Sequence, residues 1–155
     1  MTNTKEITIL ENDYLNDLNK IKETIKTNQA KAMVVVNSAM IMTYYEIGTI
    51  INQRKVWGNK YIERLSNDLK DYGKGYSCEH LKKMSQFAKE FSENEIRLQP
   101  VTQIPWSTLV TVIIPKSKSH EEMLWYIYQT YKNGWSIVYL QVNSKEKFTS
   151  LFLPE

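Results

Sequence analysis

From Leu10 to Ile51 the apolar residues return at helical intervals. Leu10, Tyr14, Leu18, Ile21 and Ile25 form one stripe, and Met33, Val36, Met40, Tyr44, Ile47 and Ile51 form a second. Val34-Val35-Val36 alone would suit a strand, but the length of the segment favours helix. Asn28-Gln29 is a weak break, so the stripes predict either an antiparallel pair of helices or one long bent helix. Residues 1–9 read as a flexible lead-in.

Trp57-Gly58-Asn59 closes this region and suits a cap for the next helix. Tyr61, Ile62, Leu65 and Leu69 give that third helix its inner face, and Asp71-Tyr72-Gly73-Lys74-Gly75 ends it. Ser77 is the expected N-cap of a fourth helix. The fourth helix buries Leu81, Met84, Phe87, Ala88 and Phe91, and its opposite face carries Glu79, Lys82, Lys83, Gln86 and Glu90. Two short amphipathic helices across a glycine-bearing turn suggest a helix-turn-helix, although the connection exceeds the common 3–4 residues.

Residues 92–103 read as a polar connector holding Pro100. Pro105 and Ser107 suit a helix entrance. The β-branched run after them makes a short strand at 108–114 the alternative, and Pro115 stops either one. Residues 116–119 form a turn, and Ser119 caps a helix through Trp125, Tyr128 and Tyr131 that ends at Asn133-Gly134. Trp135-Ser136 starts a last short helix. The expected fold is therefore all-α: one helical domain over 10–143, then 144–155 as a frayed tail or the start of a further domain.

Composition adds limits. A chain of 155 residues with 42% apolar content can bury a core without staples. The four tryptophans sit at helix starts or on apolar stripes and read as core packing. The one cysteine, Cys78, excludes an internal disulfide and fits a reducing compartment. The polar start Met1-Thr2-Asn3-Thr4-Lys5-Glu6 is no secretory signal. The apolar runs at 32–36 and 39–42 fall short of the ~20 residues a spanning helix needs. A cytoplasmic protein with no membrane partner is expected.

Catalytic chemistry is missing from the pattern. His80, His120 and Cys78 do not have zinc-ligand spacing. Cys78 and His80, two apart on a helix, point in different directions. Gly73-Lys74-Gly75 lacks the full phosphate-loop pattern, and Asp68-Leu69-Lys70 has no acidic partner for a metal-dependent nuclease. No metal, cofactor or small-molecule substrate is expected, and the chain reads as non-catalytic.

The net charge of +3 is small, but its distribution is uneven. Residues 54–91 hold nine basic side chains (Arg54, Lys55, Lys60, Arg64, Lys70, Lys74, Lys82, Lys83 and Lys89) against five acids, Glu63, Asp68, Asp71, Glu79 and Glu90. The positive excess thus falls on the candidate helix-turn-helix, as an electrostatic footprint for nucleic acid should.

A set of short motifs, in order, resembles the bacterial YhcG-like family. These are Tyr45-Glu46-Ile47-Gly48, Trp57-Gly58-Asn59, Leu65-Ser66-Asn67-Asp68-Leu69, Tyr76-Ser77-Cys78-Glu79-His80-Leu81, Gln103-Ile104-Pro105-Trp106-Ser107 and Asn133-Gly134-Trp135-Ser136. The resemblance covers about residues 15–140 and is to that family's N-terminal domain. It implies a helical domain similar to a DNA-binding helix-turn-helix, which in family members precedes a PD-(D/E)xK nuclease domain. The family segment after Tyr-Ser is often arginine-rich; here it is Cys78-Glu79-His80.

The expected DNA contacts lie on and beside the fourth helix. Ser77, His80, Lys83 and Gln86 are candidates to approach base edges, and Lys74 and Lys82 to meet phosphates. DNA is the expected partner. The alternative is a helical module that forms a homodimer, or docks a partner protein, through the first two stripes.

Overall fold

The computed structural model describes residues 3–54, 58–98 and 100–142, so Trp57 and the tail at 144–155 lie outside the described residues. Every element among them is helical. By their contacts the residues fall into two compact units, Met1–Val36 and Asn37–Glu155.

Helix α1, Thr4–Asn52, is unbroken. The antiparallel pair is therefore excluded. Neither Asn28 nor Gln29 removes a backbone donor or forces a left-handed residue, as Pro or Gly would. The helix also runs through most of the expected lead-in. Asn3 starts it, accepting the Lys5 N–H on its side-chain oxygen at 3.3 Å.

The second unit holds the core. Helix α2 (Asn59–Asp68) supplies Ile62, and α3 (Cys78–Glu90) supplies Leu81, Met84 and Phe87. Helix α4 (Glu93–Leu98) adds Ile96, and a short 3-10 turn at Pro100–Gln103 adds Val101. Helix α5 covers 106–116, α6 is His120–Asn133 and α7 is Ile137–Val142. Within this unit α1 buries Ile41, Gly48 and Ile51, while Met40, Tyr44 and Ile47 are half-buried. The observed stripe runs through Ile41 and Gly48 to Ile51 and is offset from the expected one; Gly48, being a glycine, carries no apolar mark.

Two readings are corrected. The polar connector at 92–103 contains α4, started by a reciprocal capping box. The Glu95 N–H donates to Ser92 Oγ at 3.2 Å, and the Ser92 N–H donates to Glu95 Oε1 at 3.0 Å. The strand alternative at 108–114 is a helix whose middle, Leu109–Ile113, widens into a π turn. Leu109, Val110, Val112, Ile113 and Ile114 are all buried. A helix buried on nearly every side shows no periodicity, which is why β-branching suggested a strand.

The caps of α6 match expectation. Ser119 Oγ accepts the Glu122 N–H at 3.1 Å, and Gly134 ends the helix at φ 65°, its N–H donating to the Thr130 carbonyl at 2.8 Å. Ser136 starts α7, its Oγ accepting the Tyr139 N–H. Lys116, at the end of α5, donates to the Leu140 carbonyl and lies over the Tyr126 ring.

One 18-residue window of α1, with mean hydropathy 1.3, is long and apolar enough to cross a membrane by length and composition. A count of unbroken apolar runs overlooks it, because Asn37 and Ser38 interrupt the run.

Candidate nucleic-acid interface

The α2–α3 connection is nine residues, 69–77, built as two 3-10 turns at Lys70–Tyr72 and Lys74–Tyr76. This is longer than a helix-turn-helix turn. Gly73 joins the two turns at φ 134°, where a side chain would be strained. The second turn is backed by α1. The Tyr44 hydroxyl lies 3.2 Å from where a Cβ on Gly75 would sit. Burial, and then the neighbouring Tyr76, push the Tyr44 phenol above its ordinary pKa, so it stays protonated.

The α2–α3 connection and the last turn of α2 border an open hollow of about 300 Å³ lined by Ser66, Lys70, Gly73, Lys74, Tyr76 and Ser77. Among the described residues no carboxylate lines it. Ser77 Oγ accepts the His80 N–H at 3.2 Å as the α3 N-cap and lies 3.1 Å from His80 Nδ1. Two lysines, two serines and the start of α3 thus border one hollow, and lysines beside a helix N-terminus are a combination suited to an anion.

The six expected contact residues do not form one face. Lys74 and Ser77 share the cavity, and half-buried His80 is tied to Ser77. Lys83 is half-buried and paired with Glu79 at 3.3 Å, one helical turn away. Exposed Gln86 lies one turn further along that side. Lys82 points about 100° from Lys83 around α3, into a smaller hollow of about 160 Å³ shared with Ile62, Glu63 and Cys78. Sequence reasoning omitted Lys70 and Ser66. Lys70 and Ser66 come beside Lys74 through the two 3-10 turns that reverse the chain at Gly73, which no spacing in the sequence marks. Arg64 also pairs with an acid, Asp68, at 3.9 Å. Among the described residues no ion pair involves Lys60, Lys70, Lys74, Lys82 or Lys89.

Helix α3 is fixed against α1 by contacts that leave no slack. Gly48 lets α1 approach the Met84 backbone. One turn on, Asn52 Nδ2 donates to the Ser85 carbonyl at 2.9 Å, and Ser85 Oγ donates to Asn52 Oδ1. Tyr45 meets Phe87 edge-on at 6.2 Å, and Trp106 packs on Tyr44 at 4.8 Å and on Phe87 at 5.1 Å. Several motif residues that carry the family resemblance, Tyr45, Gly48 and Trp106 among them, are therefore packing residues. Trp135, in the last motif, rests between Trp125 and Tyr139.

Residues 20–150 match the DUF1016 N-terminal domain. The chain belongs to this family. It is the YhcG-like N-terminal domain family that the motifs resemble. No curated protein and no solved structure matches the chain. Within this DUF1016 N-terminal domain, no group of three or more His, Cys, Asp or Glu converges among the described residues. Its two histidines are instead spent locally, His80 on the Ser77 cap and His120 on Glu95.

Burial by itself would raise the Glu95 carboxyl. The Ser92 N–H and His120 outweigh it and hold the group below its ordinary value.

Proposed function

We propose that this domain is a non-catalytic DNA-binding module that brings a PD-(D/E)xK nuclease domain to its target in the bacterial cytoplasm. The supporting observation is the hollow between α2 and α3, which Lys70, Lys74 and Ser77 border with no carboxylate among the described residues that line it. Phosphate contacts of this kind position a protein on the duplex without reading sequence. Lys83 and Gln86, on one side of α3, would contribute further contacts. The family resemblance supplies the nuclease association.

The experiment is a salt titration of duplex binding followed by fluorescence anisotropy. Log affinity should fall with log salt at about −0.9 per phosphate neutralised. The double variant Lys70→Ala/Lys74→Ala should weaken binding by about tenfold or more and reduce that slope by between one and two units. Equal loss on unrelated sequences is expected. An unchanged slope in the double variant, or no duplex binding by the wild type at low salt, overturns the reading.

A further inference from the structure

The first unit is a helix with an uncovered apolar face. Ile7, Leu10, Tyr14, Ile21 and Ile25 are each between 50% and 64% exposed, and Leu18 lies on the same stripe. Ile7 and Leu18, Leu10 and Ile21, and Tyr14 and Ile25 are eleven residues apart, a period that keeps the stripe nearly straight along the helix. Intrinsic propensity does little to hold this segment. It contains Asn12, Asn16, Asn19 and Asn28, and Thr8 and Thr24 bond back to the carbonyls of Thr4 and Lys20. A helix of this composition is stabilised mainly by burying its apolar face.

The charges indicate what buries it. From Asn3 to Leu18 the ionised side chains are Lys5, Glu6, Glu11, Asp13 and Asp17, a net of −3. From Asn19 to Val36 they are Lys20, Lys22, Glu23, Lys26 and Lys31, a net of +3. A parallel copy would set acid on acid and base on base. An antiparallel copy sets each acidic half on a basic half. With the two-fold axis beside Leu18 and Asn19, Glu6 comes opposite Lys31, Glu11 opposite Lys26, and Asp17 opposite Lys20. Tyr14 then falls within a turn of the other copy's Ile25, and Leu18 within a turn of its Ile21.

The edges of the stripe agree with this arrangement. Glu6, Asp17, Lys20 and Lys31 lie toward one edge, and Glu11, Lys22 and Lys26 toward the other. A two-fold antiparallel pair brings each edge against its own counterpart, so opposite signs meet on both. Six large side chains at roughly 100 Å² each, with the aliphatic lysine stems, approach the ~800 Å² per partner of a stable interface.

We propose that residues 3–36 pair with the same residues of a second copy of the chain, antiparallel. The inference does not rest on the DNA reading.

The test uses the full chain. Sedimentation equilibrium across micromolar concentrations should give twice the chain mass. Leu18→Asp with Ile21→Asp should return it to the single mass, with the near-ultraviolet signal of the second unit unchanged. Glu6→Lys/Glu11→Lys/Asp17→Lys should weaken self-association at least tenfold. Adding Lys20→Glu/Lys26→Glu/Lys31→Glu to the same chain should restore it. Orientation is read in a Cys78→Ser background with a short thiol cross-linker. A Glu6→Cys chain mixed with a Lys31→Cys chain should give mainly the mixed product. A single-mass species throughout, or cross-linking mainly of like with like, overturns the proposal.

Discussion

Replacing Gly48 with alanine tests the packing that positions α3. In an exposed helix interior this change stabilises by about 1 kcal/mol. Here the added Cβ would lie 2.1 Å from the Met84 carbonyl oxygen, 2.7 Å from its carbon and 2.9 Å from the Ala88 Cβ. Ordinary contact is about 3.5–4 Å. Two helix backbones must therefore separate by more than about 1 Å. Overpacking of this kind costs ~1–3 kcal/mol and occasionally more. The same movement lengthens the Asn52–Ser85 hydrogen bonds one turn away, worth ~1 kcal/mol each. After subtracting the propensity gain, Gly48→Ala should destabilise by ~2–3 kcal/mol and lower Tm by about 5–10 °C. The assay is urea unfolding read by circular dichroism and tryptophan fluorescence. Thr49→Ala, at the exposed neighbouring position, is the control and should shift stability by less than about 0.5 kcal/mol. An unchanged or raised midpoint for Gly48→Ala would refute the close-approach argument.

Other consequences are separable. Ser77→Ala removes the α3 cap and should cost ~1 kcal/mol, whereas Ser77→Asp keeps the cap but places a negative charge in the lysine hollow. If urea unfolding shows Ser77→Asp as stable as wild type while its duplex affinity falls, capping and phosphate contact are distinguished; equal affinity removes Ser77 from the interface. Glu95 is held below its ordinary pKa when folded, so the unfolded chain binds its proton more readily. Its contribution is present above the unfolded carboxyl value, near 4.3, and is lost as pH falls through the folded value. Glu95→Gln should therefore flatten the acid limb of the midpoint-versus-pH curve, and superimposable curves would exclude this pair as a source of acid sensitivity.

Elements bounded by local signals were legible in the sequence. Helices α3 and α6 have serine caps followed by helical apolar spacing, and α6 ends on a left-handed glycine. The same kind of signal was present for α4 in Ser92 and Glu95, but its surroundings are polar and only Ile96 is buried, so periodicity gave it no support. At α5 the sequence left helix and strand both open for the opposite reason, the segment being apolar nearly all round. The candidate site was legible as a charged segment and not as a surface. Whether Lys74 joins Lys70 or Lys83 depends on how two 3-10 turns reverse the chain around Gly73, and no residue spacing encodes that.

The pairing of Glu79 with Lys83 bears on how strongly the interface can bind. The pair is an i,i+4 contact at 3.3 Å with the carboxylate mostly exposed, so it contributes only a few tenths of a kcal/mol. A phosphate can therefore take Lys83 from Glu79 at little cost. The carboxylate nonetheless stays beside the incoming phosphate and offsets one positive charge. Removing it should strengthen binding even though an ion pair is lost. Glu79→Gln is expected to raise duplex affinity several-fold at low salt, to steepen the salt dependence by up to about 0.9, and to change stability by less than about 0.5 kcal/mol. The parallel variant Glu121→Gln, in the first turn of α6 and distant in sequence from the lysine segment, should leave the salt slope unchanged. If both variants shift the slope alike, only net charge is being read. If Glu79→Gln leaves it unchanged, the exposed side of α3 does not meet the backbone, and contact is confined to the hollow that Lys70 and Lys74 line.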